Sequence, residues 1–295
     1  MSAEPLLTSD VVGLTKIAPL SRRGFMTASA AVTAGYTLAA GPVRADVITT
    51  DTNGLTAGDA KIKVAEGEMP GYFARPTGVN NPPVVLVAME IFGLHEYVKD
   101  VTRRLAKLGA FAVAPDYYFD EGPDLTKITD IPKLLPIVNA KPDVELLSDL
   151  DNTVAWAKSQ GGDTSRLGII GFCRGGRTVW EYAAHSTTLK AGASFYGPPD
   201  DPPNPLWPKS PTQLAPEMKA PVIGFYGEAD TGIPVASVEA LKAALAENKK
   251  PAEFHLYPGA PHGFHADYRA SYRKEAAEDA WSNMQAWFKK YGVLS

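Results

Sequence analysis

The sequence predicts an α/β fold in which a doubly wound, mostly parallel sheet forms a single domain. Short apolar runs alternate with amphipathic segments along the chain, which is the order that βαβ units require. The run at 84–89 is apolar at every position rather than at alternate positions, and this indicates a strand buried on both faces of a parallel sheet. No internal repeat and no shift in composition marks a linker after residue 46. We therefore expect one domain over residues 46–295.

Local patterns place the individual elements. Residues 46–80 read as two short antiparallel strands. The later apolar runs and amphipathic periodicities predict strands at 84–89, 111–116, 166–170, 191–196, 221–227 and 252–257, and helices at 97–108, 143–158, 177–184, 235–247 and 268–290. Two proline-rich stretches interrupt this order. The first, 117–142, can carry only short helices, and the second, 198–220, is expected to form a lid or pocket wall, with a solvated surface loop as the alternative.

The first 45 residues are expected to be a twin-arginine signal peptide that is not part of the fold. Arg22 and Arg23 precede a mildly apolar run at 27–40, and Val43-Arg44-Ala45 offers small residues before a cleavage point at Asp46. The apolar run is too short and too rich in Ala, Thr and Gly to anchor in a bilayer. A disordered tail that happens to contain two arginines is the alternative. If the signal is used, the mature protein is periplasmic.

Composition limits the kinds of partner and cofactor that the chain is expected to bind. The net charge of −4 and the absence of a basic run argue against nucleic acid. A single cysteine permits no intramolecular disulfide and no cysteine-based metal site, and the five histidines show no HExxH spacing. We therefore expect no metal and no cofactor. The expected partner is a small-molecule substrate, with no membrane contact after removal of the signal, and the oligomeric state is left open.

The stretch around Cys173 carries the strongest chemical signal. Gly171-Phe172-Cys173-Arg174-Gly175 lies between an apolar strand and a helix-compatible segment, which is the nucleophile-elbow pattern of α/β-hydrolases with cysteine in the usual place of serine. The glycines are expected because so sharp a turn leaves no room for neighbouring Cβ atoms. The thiol would stand at a helix N-terminus, where negative charge is favoured. A small buried cysteine beside a tight turn is the alternative.

Two later residues complete a candidate triad. Asp230 and His262 follow later strands, and the order of nucleophile, acid and histidine is that of α/β-hydrolases. Because the carboxyl ends of parallel strands share one edge of the sheet, the three side chains can converge. His262 would take the thiol proton, and Asp230 would orient the imidazole. Taken singly, Asp230 could instead cap the helix that begins near Ile233, and His262 could satisfy a turn. His265 competes for the histidine role but lacks the flanking Gly/Pro turn.

An oxyanion hole requires two backbone N–H donors. They are expected from Arg174, directly after the nucleophile, and from Ile91, in the loop after strand 84–89. Glu90 ends the same strand and would face the same crevice. A carboxylate there opposes thiolate formation, so Glu90 is either a brake on the thiol or a solvent-exposed residue at a strand end.

Four ordered motifs give the chain a family resemblance. They are Met89-Glu90-Ile91-Phe92-Gly93, Gly171-Phe172-Cys173-Arg174-Gly175-Gly176, Gly227-Glu228-Ala229-Asp230 and Pro261-His262-Gly263-Phe264. Over roughly residues 60–290 the chain resembles the dienelactone hydrolases (carboxymethylenebutenolidases). The resemblance implies an α/β-hydrolase fold, a triad of Cys173, His262 and Asp230, and an oxyanion hole at Ile91 and Arg174. It also implies that Glu90 pairs with the triad and keeps the thiol quiet until substrate disturbs the pairing.

The chain departs from this family where substrate would bind. Tyr117-Tyr118-Phe119 stands where the family carries an arginine soon after the Pro-Asp that matches Pro115-Asp116, and 264–267 lacks a second arginine expected after the histidine. An aromatic pocket of Tyr117, Tyr118 and Phe119 that prefers neutral compounds is therefore expected.

The predicted activity is hydrolysis of a small ester or lactone through an acyl-cysteine intermediate. A thioesterase or broad carboxylesterase is one alternative. The other is a silent periplasmic binding protein whose aromatic pocket includes Trp207.

Overall fold

The computed structural model describes residues 47–201 and 204–295, so the proposed signal peptide lies outside the described residues. Within these ranges the chain forms strands β1 (Leu55–Val64), β2 (Gly67–Pro76), β3 (Pro83–Ala88), β4 (Phe111–Pro115), β5 (Asp163–Phe172), β6 (Leu189–Phe195), β7 (Val222–Gly227) and β8 (Ala252–Tyr257). The helices are α1 (Glu96–Lys107), α2 (Ile131–Val138), α3 (Asp143–Ser159), α4 (Arg174–His185), α5 (Pro211–Leu214), α6 (Val235–Glu247) and α7 (Lys274–Lys290). None of the helices in the described part is both long and apolar enough to cross a membrane.

The strands form one mixed sheet in the order β1-β2-β4-β3-β5-β6-β7-β8. β1 and β2 pair antiparallel, and β2 pairs antiparallel with β4. The strands from β4 to β8 along the sheet pair in parallel. The prediction of a mostly parallel sheet with an antiparallel entry is confirmed.

Helices cover both faces of this sheet, which explains why its central strands have no polar side. β3, β4 and β7 are buried at every position. A Cβ on Gly168 of β5 would contact Val293, just after α7, whereas one on Gly192 of β6 would contact Val179 of α4. Gly192 pairs with Ile169, the neighbour of Gly168, and adjacent residues of a strand face opposite sides. α4 and the C-terminal segment around α7 therefore lie on opposite faces.

Two segments differ from simple expectation. The last helix begins at Lys274 rather than at 268, because the residues before it form turns in which the Arg269 N–H bonds Ala266 O and the Tyr272 N–H bonds Arg269 O. The proline-rich stretch at 198–220 contains α5, whose start is fixed by a capping box between Ser210 and Gln213.

Candidate active site

Cys173 occupies a strained turn between β5 and α4. Its backbone lies at φ 56° and ψ −121°, a region that residues other than glycine rarely adopt, and its N–H donates to Phe195 O at 3.0 Å. A Cβ on Gly171 would lie 2.0 Å from Gly175 O, and one on Gly175 would lie 2.2 Å from Ala88 O. The glycine requirement expected from the sequence is therefore confirmed. Only glycine lets the first turn of α4 approach β3 and β5 this closely.

Cys173, His262 and Asp230 converge at the carboxyl edge of the sheet. His262 Nδ1 lies 2.7 Å from Asp230 Oδ2, and the imidazole also interacts with the Cys173 side chain. The other oxygen of the carboxylate, Oδ1, accepts from the N–H groups of Gly232 at 2.8 Å and Ile233 at 3.1 Å. Asp230 thus serves both roles considered for it from the sequence. One oxygen orders the loop before α6, and the other binds the histidine.

The electrostatics of this group favour a charged imidazole. Burial of the His262 ring would by itself lower its pKa, but the negative charges of the Cys173 thiolate and of Asp230 raise the pKa well above the usual value. His262 therefore holds a proton more readily than an isolated histidine would. The arrangement places a thiol and an imidazole with a raised pKa side by side.

His265 does not compete for this role. The Tyr97 hydroxyl lies 2.7 Å from His265 Nδ1, and burial together with the charge of Arg104 lowers the pKa of His265 to about 3. It is therefore neutral and belongs to a buried aromatic cluster, as its ring contacts with Phe172, Phe195 and Trp281 also indicate.

The two expected oxyanion donors lie on adjoining segments. Arg174 is the first residue of α4, so its N–H has no partner within the helix. The close approach of Gly175 to Ala88 brings this helix end against the end of β3, from which Ile91 follows. The Tyr117 hydroxyl donates to Met89 O at 3.0 Å and fixes that strand end. Tyr117, expected to line the substrate pocket, is thus fully buried and supports the backbone.

Tyr118 and Phe119 differ from Tyr117 in what they contact. The charges of Arg174 and Cys173 both act on the Tyr118 phenol, and burial raises its pKa. Phe119 is half-buried and packs against the hydrophobic core. Among the three aromatic residues, Tyr118 is therefore the one whose phenol is affected by the charge of Cys173.

Asp201 and Trp207 contact two arginines at the start of α4, Arg174 and Arg177. The Arg174 guanidinium lies over the Trp207 ring, 3.6 Å from its centroid, and its Nη1 lies 3.8 Å from Asp201. Asp201 also accepts a hydrogen bond from Arg177, and the Trp207 indole donates to Lys141 O at 3.0 Å. These contacts hold Asp201 and Trp207 against the protein, so the alternative of a solvated surface loop does not apply to these two residues.

Glu90 is buried, which excludes the solvent-exposed alternative. It accepts a hydrogen bond from the Tyr268 hydroxyl at 3.0 Å, and His95 Nε2 lies 3.4 Å away. Burial would raise the pKa of Glu90, but the interaction with His95 and the charge of Arg269 lower it overall. Glu90 is therefore an ionised carboxylate with ordered partners. The charges of Glu90 and Cys173 both act on the phenol of Tyr196.

Arg269 is a candidate site residue that sequence reasoning missed. The stretch 264–267 does lack the arginine expected after the histidine, but Arg269 follows that stretch two positions later. Its guanidinium lies 4.2 Å from the Phe92 ring centroid and 4.5 Å from that of Tyr268, and its charge acts on Glu90. Arg269 follows His262 by seven positions, in a stretch assigned to the last helix. The turns of 266–272 fold it back toward β3.

A carboxylate cluster lies apart from these residues. Within the described ranges, Asp120, Glu121 and Glu145 are the one set of three acidic or histidine side chains close enough to share a metal ion. The Lys141 ammonium lies 3.2 Å from Asp120 and 3.7 Å from Glu145. This cluster therefore already holds a cation of the protein itself.

A nucleophile elbow at the carboxyl edge of a mostly parallel sheet, with an acid and a histidine on later loops, defines the α/β-hydrolase class. The family model of the dienelactone hydrolase family matches residues 69–292, and the chain belongs to that family. It is a hydrolase of the kind that acts on lactone or ester bonds.

Individual relatives agree with this assignment. A protein of Methylorubrum extorquens, provisionally named a carboxymethylenebutenolidase, is 48% identical over 288 residues, which cover 97% of this chain and 98% of the relative. A protein of Escherichia coli K12 with the same provisional name is 45% identical over 260 residues, which cover 88% and 96%. The crystal structure of a provisionally named dienelactone hydrolase from Klebsiella pneumoniae is similar with a TM-score of 0.78 at 44% identity, covering 80% of this chain and 99% of the other.

Proposed function

We propose that the protein hydrolyses a small ester or lactone through an acyl-cysteine intermediate formed on Cys173. The observation that carries the proposal is the continuous buried contact from Cys173 to His262 to Asp230 at the elbow. A thiol with the ordinary pKa is only a few per cent ionised near neutral pH. The neighbouring His262 imidazole, whose pKa is raised, can accept the proton of the thiol.

In the first half-reaction the Cys173 sulfur attacks the carbonyl carbon of the substrate, and the C=O electron pair moves onto the carbonyl oxygen. The N–H groups of Ile91 and Arg174 would hydrogen-bond that oxyanion. When the pair returns to re-form the carbonyl, the C–O bond to the leaving group breaks, and His262 gives its proton to the departing oxygen. The products are an acyl-cysteine and an alcohol, which stays tethered to the acyl group when the substrate is a lactone.

In the second half-reaction water replaces the thiol as nucleophile. Neutral His262 takes a proton from the water as it attacks the acyl carbon, and the C–S bond breaks to return the thiolate and a carboxylic acid. Asp230 stabilises the imidazolium in both halves. Apart from the attacking water, every group named in these steps is a side chain or backbone group of this chain.

The charges beside the pocket favour a neutral substrate. Arg174 is already paired with Asp201, and Glu90 lies close enough to Arg269 for their charges to interact, so an anionic substrate would compete with carboxylates of the protein. We expect neutral lactones to have higher kcat/KM than matched lactones that carry a carboxylate. Glu90→Gln, which leaves Arg269 without that counterion, should raise the anionic-to-neutral ratio by about tenfold. A wild-type enzyme that prefers the anionic compound would contradict this assignment.

The proposal is tested by turnover of p-nitrophenyl acetate and of a series of small lactones. Cys173→Ala should abolish turnover, and Cys173→Ser should reduce it by at least about 100-fold, because the pocket charges suit a thiolate rather than an alkoxide. Ser186→Ala, near the far end of α4, serves as a control for handling and folding and should retain wild-type activity. Undiminished turnover by Cys173→Ala would refute the proposal.

A further inference from the structure

Tyr196 has an unusual backbone and an unusual side chain at the same time. It directly follows β6 and adopts φ 39°, a conformation that a bulky residue rarely takes. Its hydroxyl is buried and has no hydrogen-bond partner among the described residues. Buried polar groups are normally paired, so a residue that keeps both features invites a functional explanation.

Contacts with the nucleophile helix hold this conformation. A Cβ on Gly197 would lie 2.3 Å from the carbonyl carbon of Gly176, and one on Gly176 would lie 2.7 Å from Phe195 O. The Ser194 hydroxyl donates to Gly176 O at 2.8 Å, and the Tyr196 N–H donates to Phe225 O at 2.7 Å. The end of β6 is therefore clamped between α4 and β7, and Tyr196 has little freedom to relax.

The side chain lies against the candidate triad. The Tyr196 ring meets the His262 ring edge to face, with 5.0 Å between centroids, and the charges of Cys173 and Glu90 act on its phenol. Burial, together with the charges of these groups, holds the pKa of Tyr196 well above its usual value. The phenol therefore keeps its proton at any working pH and can act only as a hydrogen-bond donor or as an acceptor.

The order of the strands in the sheet indicates which substrate atom would lie near the Tyr196 hydroxyl. β5 carries the nucleophile, and β3, from which the Ile91 donor comes, lies on one side of it. β6, with Tyr196 at its end, lies on the other side, toward β7 and β8, whose loops carry Asp230 and His262. The phenol is therefore on the side where the leaving group receives its proton, opposite the side of the Ile91 donor.

We propose that Tyr196 is a further catalytic residue whose hydroxyl donates a hydrogen bond to the leaving-group oxygen. The inference rests on the proposed function. As the C–O bond of the tetrahedral intermediate breaks, its electron pair passes to the leaving oxygen, and His262 delivers the proton that this oxygen acquires. Tyr196 keeps its own proton and stabilises the charge that builds up before that transfer is complete.

The test is a series of acetate esters that differ in leaving group, measured as kcat/KM for wild type and Tyr196→Phe. The substrates are p-nitrophenyl, phenyl and ethyl acetate, in order of increasing need for help at the leaving oxygen. We expect Tyr196→Phe to lose about 10- to 100-fold on ethyl acetate and less than about threefold on p-nitrophenyl acetate. An equal loss on all three esters, or no loss, would overturn the proposal.

Tyr226→Phe is the matched control. Tyr226 is a buried tyrosine on the neighbouring strand β7 whose hydroxyl accepts from Trp180 Nε1 at 3.2 Å, so its loss should not change the dependence on leaving group. If Tyr196→Phe does not fold, as judged by circular dichroism, 3-fluorotyrosine placed at position 196 keeps the shape and makes the hydroxyl a stronger donor. It should raise kcat/KM on ethyl acetate relative to p-nitrophenyl acetate, and an unchanged ratio would overturn the proposal. A wild-type enzyme that hydrolyses none of the esters would overturn the proposed function and this inference together, whereas an unaltered series for Tyr196→Phe overturns the inference alone.

Discussion

Replacement of Asp230 by asparagine is the most informative change at the site. Both carboxylate oxygens of Asp230 accept hydrogen bonds, whereas an asparagine amide has only one oxygen that can do so. Oδ1 accepts from the N–H groups of Gly232 and Ile233, while Oδ2 faces His262 Nδ1 at 2.7 Å. In Asp230→Asn, the single amide oxygen can serve only one side. If it keeps the two backbone donors, the NH₂ group faces His262 and forces its proton onto Nε2. The imidazole can then no longer accept the proton of the thiol.

The expected size of the effect follows from this loss. An acid-to-amide change of this kind in a triad lowers kcat by about 10⁴ through the wrong tautomer. We expect kcat/KM of Asp230→Asn to fall by about 10³ to 10⁴, which corresponds to about 4 to 5 kcal/mol of transition-state stabilisation. Removal of the negative charge also lowers the pKa of His262, since Asp230 is one of the charges that raise it. The alkaline limb of the pH profile, where His262 loses its acidic proton, should therefore move to lower pH.

The assay is hydrolysis of p-nitrophenyl acetate from pH 5 to 10, together with alkylation of Cys173 by iodoacetamide. Because the chain contains one cysteine, the alkylation reports on that thiol alone. Asp163→Asn is the control, since Asp163 also accepts from a backbone N–H two residues on, that of Ser165 at 3.0 Å, but at the start of β5. A decrease of less than about tenfold for Asp230→Asn, with the pH profile unmoved, would refute the role assigned to the carboxylate.

Three further predictions concern Glu90, Gly171 and the proposed signal peptide. Glu90→Gln removes a buried negative charge that opposes the thiolate, so iodoacetamide should alkylate the single cysteine about three- to tenfold faster without substrate; an unchanged rate and unchanged turnover would mean that Glu90 has no such role. Gly171→Ala places a Cβ 2.0 Å from a backbone oxygen and should lower the free energy of unfolding by about 3 kcal/mol or more in urea titrations. Gly58→Ala, whose nearest contact is 4.0 Å away, is its control, and equal stability of the two variants would contradict the packing argument. Replacement of Arg22 and Arg23 by lysine should leave the protein in the cytoplasm, as judged by fractionation, and normal export of that variant would refute the twin-arginine assignment.

Much of the fold could be predicted because its signals are local. A run such as 84–89, apolar at every position, can be satisfied only by burial on both faces, and Gly171 is required by its contact with Gly175, four positions along the chain. The pairing of β2 with β4 rather than with β3 could not be read in this way. It depends on contacts between residues some forty positions apart, for which the chain carries no local mark.

The site residues also divide into those with a local sequence signal and those placed by contacts between distant parts of the chain. Cys173, Asp230 and His262 stand at strand ends, where a rule about parallel sheets brings them together. Arg269 reaches the site through turns that interrupt an otherwise helical pattern at 268–290, so periodicity alone hid it. Tyr196 had a signal, a tyrosine followed by glycine at a strand end, but the meaning of that signal depends on the position of α4 against β6.

Detection of the acyl-enzyme by intact-mass spectrometry tests the central claim most directly. The protein would be mixed with p-nitrophenyl acetate, quenched in acid within milliseconds to seconds, and mapped by peptide digestion. We expect one added acetyl group on the peptide that contains Cys173, formed and lost at rates compatible with turnover, and absent from Cys173→Ala. Turnover without any acyl adduct on Cys173, or an adduct of equal amount on another residue in the alanine variant, would contradict nucleophilic catalysis by this cysteine.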